Sequence, residues 1–229
     1  MFNFRNYFTK LEKGLWITSI SAIILSFLLF DSSNYLTLIA SLIGATSLIF
    51  CAKGNPIGQI LIIIFSIIYG VISYSFAYYG EMITYIGMTM PMAILALISW
   101  LKNPYKGNIS EVEVNNIGKK ETIFACFLTL IVTVVFYFIL GALNTSNLIP
   151  STFSVTTSFI AVYYTFRRSP YYALLYAGND IVLIILWTLA SFEDTKYISV
   201  VVCFIAFLVN DIYGFINWRR MEKRQARGE

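Results

Sequence analysis

The sequence predicts an all-α integral membrane protein. About eight transmembrane helices are expected: one extra N-terminal helix, then two parallel three-helix repeats joined by a single helix. Three observations lead there: eight long apolar stretches, a one-sided distribution of basic residues, and a turn pattern that occurs twice. The chain has 229 residues, 58% hydrophobic and only 12% charged, against roughly 25% charged in soluble domains. The apolar stretches cover about 15–30, 35–52, 56–79, 82–101, 122–143, 150–166, 171–190 and 196–217. A spanning helix needs about 20 apolar residues, so the second and sixth stand at the short end. Threaded alternately through a bilayer from a cytoplasmic N-terminus, they leave 15 of the 16 Lys and Arg residues inside and only Lys196 outside. Such a bias sets orientation.

The first stretch follows Arg5, Lys10 and Lys13 and ends Leu28-Leu29-Phe30-Asp31. It lacks a small-residue cleavage site, so it reads as a retained helix rather than a secretory signal. Short external turns are expected at Asp31 to Asn34, Tyr79-Gly80-Glu81, Asn144 to Asn147 and Phe192 to Asp194. Short internal ones are Lys53-Gly54-Asn55-Pro56 and Arg167-Arg168-Ser169-Pro170. Only Lys102 to Glu121 is long; its mixed charge and its glycines mark a cytoplasmic linker.

The segments on either side of that linker resemble each other. Each has a basic turn ending in proline, a long helix, an external acidic turn, and a helix closing on a tryptophan followed by a basic residue. Pro56 to Trp100 is 44 residues and Pro170 to Trp218 is 48. The expected division is therefore 1–34 (N-terminus and extra helix), 35–101 (first repeat), 102–143 (linker and connecting helix), 144–220 (second repeat) and 221–229 (basic cytoplasmic tail). Parallel repeats are one plan of membrane transporters.

The available chemistry is narrow. There is no histidine, so His-dependent catalysis, metal ligation and proton relays are excluded. No GxxxxGK[ST] loop occurs. Cys51, Cys126 and Cys203 are dispersed in apolar stretches and read as small buried hydrophobes. Trp16, Trp100 and Trp218 lie near helix ends and read as interfacial anchors.

Polar residues at membrane depth carry the functional signal. Asn179 and Asp180 fall near the middle of the seventh stretch, Asn210 and Asp211 past the middle of the eighth. Intramembrane carboxyls are costly and face a bundle interior or a watery cavity; the bland alternative is that these pairs are interhelical glue. Tyr172, Tyr176 and Asn179 share a helical face, with Trp187 beyond them. Asn210, Tyr213 and Asn217 form a second stripe. The fourth stretch carries Thr84, Tyr85, Met88 and Met92, the third Ser66, Tyr69 and Ser73. Amides beside aromatic faces suit a flat, hydroxyl-bearing ligand, and a planar cation gains further.

The run from Arg167 to Asp180, followed by Trp187, resembles the penultimate helix of PnuC-type vitamin transporters. Asp211 to Arg220 is similar to that family's closing Gly-x-x-x-Trp-Arg signature, and Tyr78-Tyr79-Gly80-Glu81 to its Tyr-Gly-Asp turn. The resemblance spans roughly 35–220. It implies a 3+1+3 fold, a doubled relative of the SWEET arrangement, and uptake of nicotinamide riboside by facilitated diffusion into a bacterial cell. Cytosolic phosphorylation by a kinase would trap the product. Family members also carry thiamine, riboflavin or deoxynucleosides. The family's tryptophan pair stands here as Tyr172 and Leu175, which alters the stacking surface. By resemblance Asn179 binds substrate; Asn210, Thr84, Tyr85 and Met88 are expected on the opposite wall. Asp180 or Asp211 would balance a cationic ring, or carry a proton in coupled uptake. No cofactor, metal or nucleic-acid partner is expected, nor an enzymatic activity, though a membrane-embedded lipid enzyme or assembly subunit is the reading from another class. The sequence leaves self-association open.

Overall fold

The computed structural model describes residues 7–75, 79–145 and 147–228. Arg5, Tyr78 and Ser146, on which parts of the sequence reading fall, lie outside the described residues. Eight long helices occur among these: α1 Lys10–Phe30, α2 Tyr35–Ala52, α3 Ile57–Ser75, α4 Tyr79–Lys102, α5 Lys119–Ala142, α6 Leu148–Phe166, α7 Tyr172–Ser191 and α8 Ile198–Ala226. Seven of them are long and apolar enough to cross a membrane. The exception is α6, whose segment Ser151 to Ser158 is rich in hydroxyls. Several of those hydroxyls return to the helix itself: Thr152 donates to the Leu148 carbonyl and Thr156 to that of Thr152. This back-bonding lets a polar sequence remain helical without water. Exposed apolar side chains such as Leu29, Phe127 and Phe138 clothe the outside of the bundle, as a lipid-facing surface requires.

Capping sets the helix starts. Thr9 and Glu12 form a reciprocal capping box at α1, and Asn34 Oδ1 accepts from the Thr37 amide at α2. Each satisfies amides that the helix itself leaves open.

The two basic turns end their helices identically. After α2, Gly54 adopts φ +66°; its amide reaches the Cys51 carbonyl and the Asn55 amide reaches that of Phe50. After α6, Arg168 adopts φ +57°; its amide reaches Thr165 and the Ser169 amide reaches Tyr164. Both are Schellman closures, both lie two residues before a proline, and in both the residue before proline accepts from the amide after it (Asn55 Oδ1 from Ile57, Ser169 Oγ from Tyr171). One turn uses glycine at the left-handed position and the other arginine. A Cβ at Gly54 would also press on Met221 and Val112 at 3.1 and 3.2 Å. Gly54→Ala is therefore expected to cost about 1–2 kcal/mol. Arg168→Gly should shift stability the other way, by up to about 1 kcal/mol. Thermal unfolding in one detergent would check the opposite signs.

The helices pack in a reciprocal pattern. Within each three-helix segment, neighbours pack in chain order: α2 on α3 and α3 on α4; α6 on α7 and α7 on α8. Between them, α2 packs on α8 and α6 on α4. The first helix of each segment thus meets the last helix of the other. The closing tryptophans lock this exchange. Trp218 Nε1 donates to the Cys51 carbonyl at 2.8 Å, and Trp100 Nε1 to the Thr165 carbonyl at 2.9 Å. Each acceptor stands five residues before its turn proline. Both indoles are 0% exposed, with ring centroids 5.4 Å apart. The expectation that Trp100 and Trp218 are interfacial anchors is therefore corrected: they are core residues held by hydrogen bonds across the segments. Trp16 remains partly exposed and donates to Thr46 Oγ1. Cys51 and Cys203 are buried as expected, whereas Cys126 is exposed on the outer face of α5.

The linker contains a short hairpin, β1 Pro104–Tyr105 and β2 Asn108–Val112. Lys106 and Gly107 both have positive φ, the geometry of a type I′ turn. The chain then straps across both basic turns. The Val112 amide donates to the Gly54 carbonyl and the Asn115 amide to the Arg168 carbonyl, so one segment of linker bonds the two left-handed residues.

Finally, α1 packs against α2 and α8. Glu12, 1% exposed, pairs with Lys53 at 3.2 Å and accepts from the Tyr213 hydroxyl at 2.8 Å. The extra helix is thereby bolted to the first basic turn and the last helix.

Candidate functional site

A cavity of about 140 Å³ lies at the centre of the bundle, room for about five waters. Its walls come from α2, α3, α4, α6, α7 and α8, with Leu140 from α5; α1 contributes nothing. Helix α7 supplies the richest face. Tyr172, Tyr176, Asn179, Asp180, Leu183 and Trp187 all line the space, as the helical spacing of that stretch required. Thr157 Oγ1 on α6 donates to Asn179 Oδ1 at 2.8 Å. That bond occupies the amide oxygen and fixes the side chain, leaving the Nδ2 donors for the cavity.

Thr84 and Tyr85 face α7 across the space. They belong to a π-helical segment, Thr84–Thr89, within α4. Pro91 follows two residues later and lacks the amide of a regular helix. The wider turn carries the backbone past it: the Met90 amide reaches the Tyr85 carbonyl. Such insertions concentrate at functional sites, and this one turns Thr84, Tyr85 and Thr89 toward the cavity. Tyr85 rests on Tyr69, centroids 4.9 Å apart, and edge-on to Phe65, so its ring is held in place.

Asp180 and Asp211 meet side chain to side chain between α7 and α8. Both line the cavity and both are buried, and Asp180 Oδ2 has no partner. Glu81 contributes a third carboxyl. No lysine or arginine lines the cavity among the described residues.

A second hollow of about 170 Å³ adjoins it at the end of the bundle away from the linker. It is lined by Asp31, Asn34, Tyr69, Ser73, Glu81, Trp187 and Lys196, among others. Glu81 and Trp187 border both spaces. Trp187 packs on Tyr197 with centroids 5.4 Å apart. These two side chains thus stand between an outer vestibule and the centre. In the vestibule, Asp31 has its carboxyl raised above the usual range, chiefly by burial and further by Asp194, with Lys196 opposing.

Seven of the ten residues singled out from sequence therefore converge: Tyr172, Tyr176, Asn179, Asp180, Trp187, Thr84 and Tyr85. Three stand elsewhere. Asn210 Nδ2 donates to Ser19 on α1 at 2.8 Å. Tyr213 donates to Glu12 on the same helix. Met88 is packed in an apolar cluster with Phe136, Leu140 and Phe159. The stripe Asn210, Tyr213, Asn217 is real, but it faces the extra helix and α2. The cavity face of α8 is Phe204, Phe207 and Asp211, spaced i, i+3, i+7. Sequence reasoning also missed Gln59, which donates to Cys51 Sγ, and Ser151, Ser154 and Ser158 on α6. The serines repeat at i, i+3, i+7, a stripe visible in the sequence.

A multi-pass helical bundle enclosing a polar, aromatic-walled cavity at its centre, with no metal-ligating cluster among the described residues, has the construction of a membrane transporter. The sequence model of the family described as "Nicotinamide mononucleotide transporter" matches residues 34–220, and the chain belongs to that family of transporters. It is 23% identical to the "Nicotinamide riboside transporter PnuC" of Neisseria mucosa over 218 residues, 93% of this chain and 83% of that protein. The fold is similar to that of the "Crystal structure of the Vitamin B3 transporter PnuC", with a TM-score of 0.81 at 21% identity, covering 95% of this chain and 94% of the other. The matched span begins at α2, so α1 lies outside it.

Proposed function

We propose that this chain takes up nicotinamide riboside through a bacterial cell membrane by facilitated diffusion, with both termini in the cytoplasm. A cytosolic kinase then traps the product. The family description names a mononucleotide and the curated relative a riboside. The charge of the cavity favours the riboside. Among the described residues, three carboxyls and no lysine or arginine line it. A phosphate dianion would meet uncompensated negative charge in a low-dielectric space, where bound phosphates normally have arginine, lysine or helix N-termini. A riboside brings hydroxyls for Asn179, Thr84 and the α6 serines, and a flat ring for Tyr85, Tyr172, Tyr176 and Trp187. These residues form the binding wall in this reading. Nicotinamide riboside is also cationic, which suits the carboxyls.

Alternating access follows from two three-helix units, 35–101 and 144–220, rocking about the cavity. The reciprocal tryptophan bonds and twin Schellman turns support that division. The basic turns, linker and tail would face the cytoplasm, as their charge favours, and the Glu81–Trp187 vestibule would be the outer entrance.

Expression in cells without their own riboside uptake provides the test. Labelled nicotinamide riboside should enter and the mononucleotide should not. Entry should plateau at equilibrium without the kinase and continue to accumulate with it. Entry of the mononucleotide at the riboside's rate would sink the substrate reading. A thermal-shift screen with thiamine, riboflavin and deoxynucleosides ranks the alternatives, since a ligand bound only to the folded state raises stability.

A further inference from the structure

We propose that Asp180 and Asp211 together form a subsite for a single positive charge, so that the cavity selects monocationic heteroaromatic ribosides over neutral ribosides of the same shape. This rests on the uptake reading above and adds a charge requirement to it.

The two carboxyls come from neighbouring packed helices, α7 and α8, and both line the cavity. Two carboxyls buried in one site do not both ionise, so the pair carries at most one negative charge, and a bound cation favours that state. Asp180 is 3% exposed and Asp211 4%, so water does not neutralise that charge. Asp180 lines the cavity, and its buried Oδ2 has no hydrogen-bond partner.

The groups around the pair supply no counter-charge. The titratable side chains lining the cavity are Cys51 from α2, Glu81 and Tyr85 from α4, and Tyr172 and Tyr176 from α7. Each is neutral or acidic. Of the cations in the two basic turns, Lys53 pairs with Glu12 and Arg167 with Glu121, and neither these nor Arg168 lines the cavity. A buried charge without a partner is strongly unfavourable, and a cationic passenger provides the partner. The faces of Tyr85 and Tyr176 add attraction for a planar cation. A neutral passenger of equal shape fills the same space and leaves the charge unmatched.

The test compares labelled nicotinamide riboside with its dihydro form, whose ring is neutral. The comparison uses the full-length protein in proteoliposomes. The wild-type chain is expected to favour the cation by about tenfold or more, the equivalent of about 1.4 kcal/mol. Asp180→Asn and Asp211→Asn should each bring the two uptake rates to within a few-fold of one another. The ratio within one variant does not depend on how much protein folds. Should neither variant reach the membrane, competition by the unlabelled dihydro compound against the labelled cation on wild type gives the same decision. Equal uptake of both compounds by wild type, effective competition by the neutral one, or an undiminished preference in both variants overturns the proposal. Absence of uptake of either compound overturns the uptake reading itself, and the charge requirement with it.

Discussion

Trp218→Ala is expected to lower the stability of the folded protein by about 3–5 kcal/mol, the usual cost of deleting a fully buried tryptophan. Trp218 is 0% exposed. Its indole packs on Tyr172 at 4.9 Å and Trp100 at 5.4 Å between centroids. Truncation opens a cavity there and leaves the Cys51 carbonyl without the indole donor. Trp100→Ala should cost about the same, since it makes the equivalent bond to Thr165. Trp218→Phe separates the two contributions: it keeps most of the packing and loses the hydrogen bond, so about 1–2 kcal/mol is expected. Chemical unfolding in a single detergent, followed by near-ultraviolet spectra, would measure all three. A cost below about 1 kcal/mol for Trp218→Ala would place the two segments' contact elsewhere. The double alanine variant should be markedly non-additive, because the rings touch.

That expectation was hidden in the sequence for a physical reason. A tryptophan near a helix end next to a basic residue is the pattern of an interfacial anchor. Nothing local distinguishes it from a core residue that donates to the partner segment; only the reciprocal packing of α2 on α8 and α6 on α4 does. The helices themselves were legible. Apolar runs placed all eight to within a few residues at most ends, and glycine, arginine and proline marked both turns. The hairpin at 104–112 was not, because the linker is short of apolar residues and its strands are stabilised by bonds to distant turns such as Val112 to Gly54. The π segment at Thr84 was not, since a proline at 91 signals only that a regular helix is perturbed.

The site divides in the same way. On α7, whose polar and aromatic residues share one face, the helical period was sufficient: Tyr172, Tyr176, Asn179, Asp180 and Trp187 all reach the cavity. On α8, polar residues occupy two faces. Asn210 and Asp211 are adjacent and therefore point about 100° apart. The extra helix α1, through Ser19 and Glu12, takes one face. The cavity takes the other, with Asp211. A chain lacking α1 would take Ser19 from Asn210 and Glu12 from Tyr213, leaving Asn210 its bond to the Ala206 carbonyl of its own helix, and the same stripe would carry a different meaning. The stripe assigned to the wall is thus a docking face for a helix outside the matched family span.

The largest effect on transport is expected at Asn179. Its Oδ1 is held by the Thr157 hydroxyl at 2.8 Å, and it is 6% exposed. The amide therefore presents its two N–H donors in a fixed direction, without the entropy cost of choosing a rotamer on binding. Asn179→Ala removes both donors and should reduce uptake about 10- to 100-fold, the equivalent of losing about 1.4–2.8 kcal/mol of buried hydrogen bonding. Asn179→Asp keeps the acceptor for Thr157 but replaces the donors with charge beside Asp180 and Asp211; its uptake should fall at least as far. Thr157→Val leaves the donors present and releases their orientation. A smaller loss is expected, about three- to tenfold, with the half-saturating concentration rising more than the maximal rate falls. Initial uptake rates of labelled riboside, normalised to protein in the membrane, give all three values. Wild-type uptake by Asn179→Ala would remove the residue from the binding wall. Equal losses in Asn179→Ala and Thr157→Val would instead make the hydrogen bond between α6 and α7, rather than the donors it orients, the element that matters.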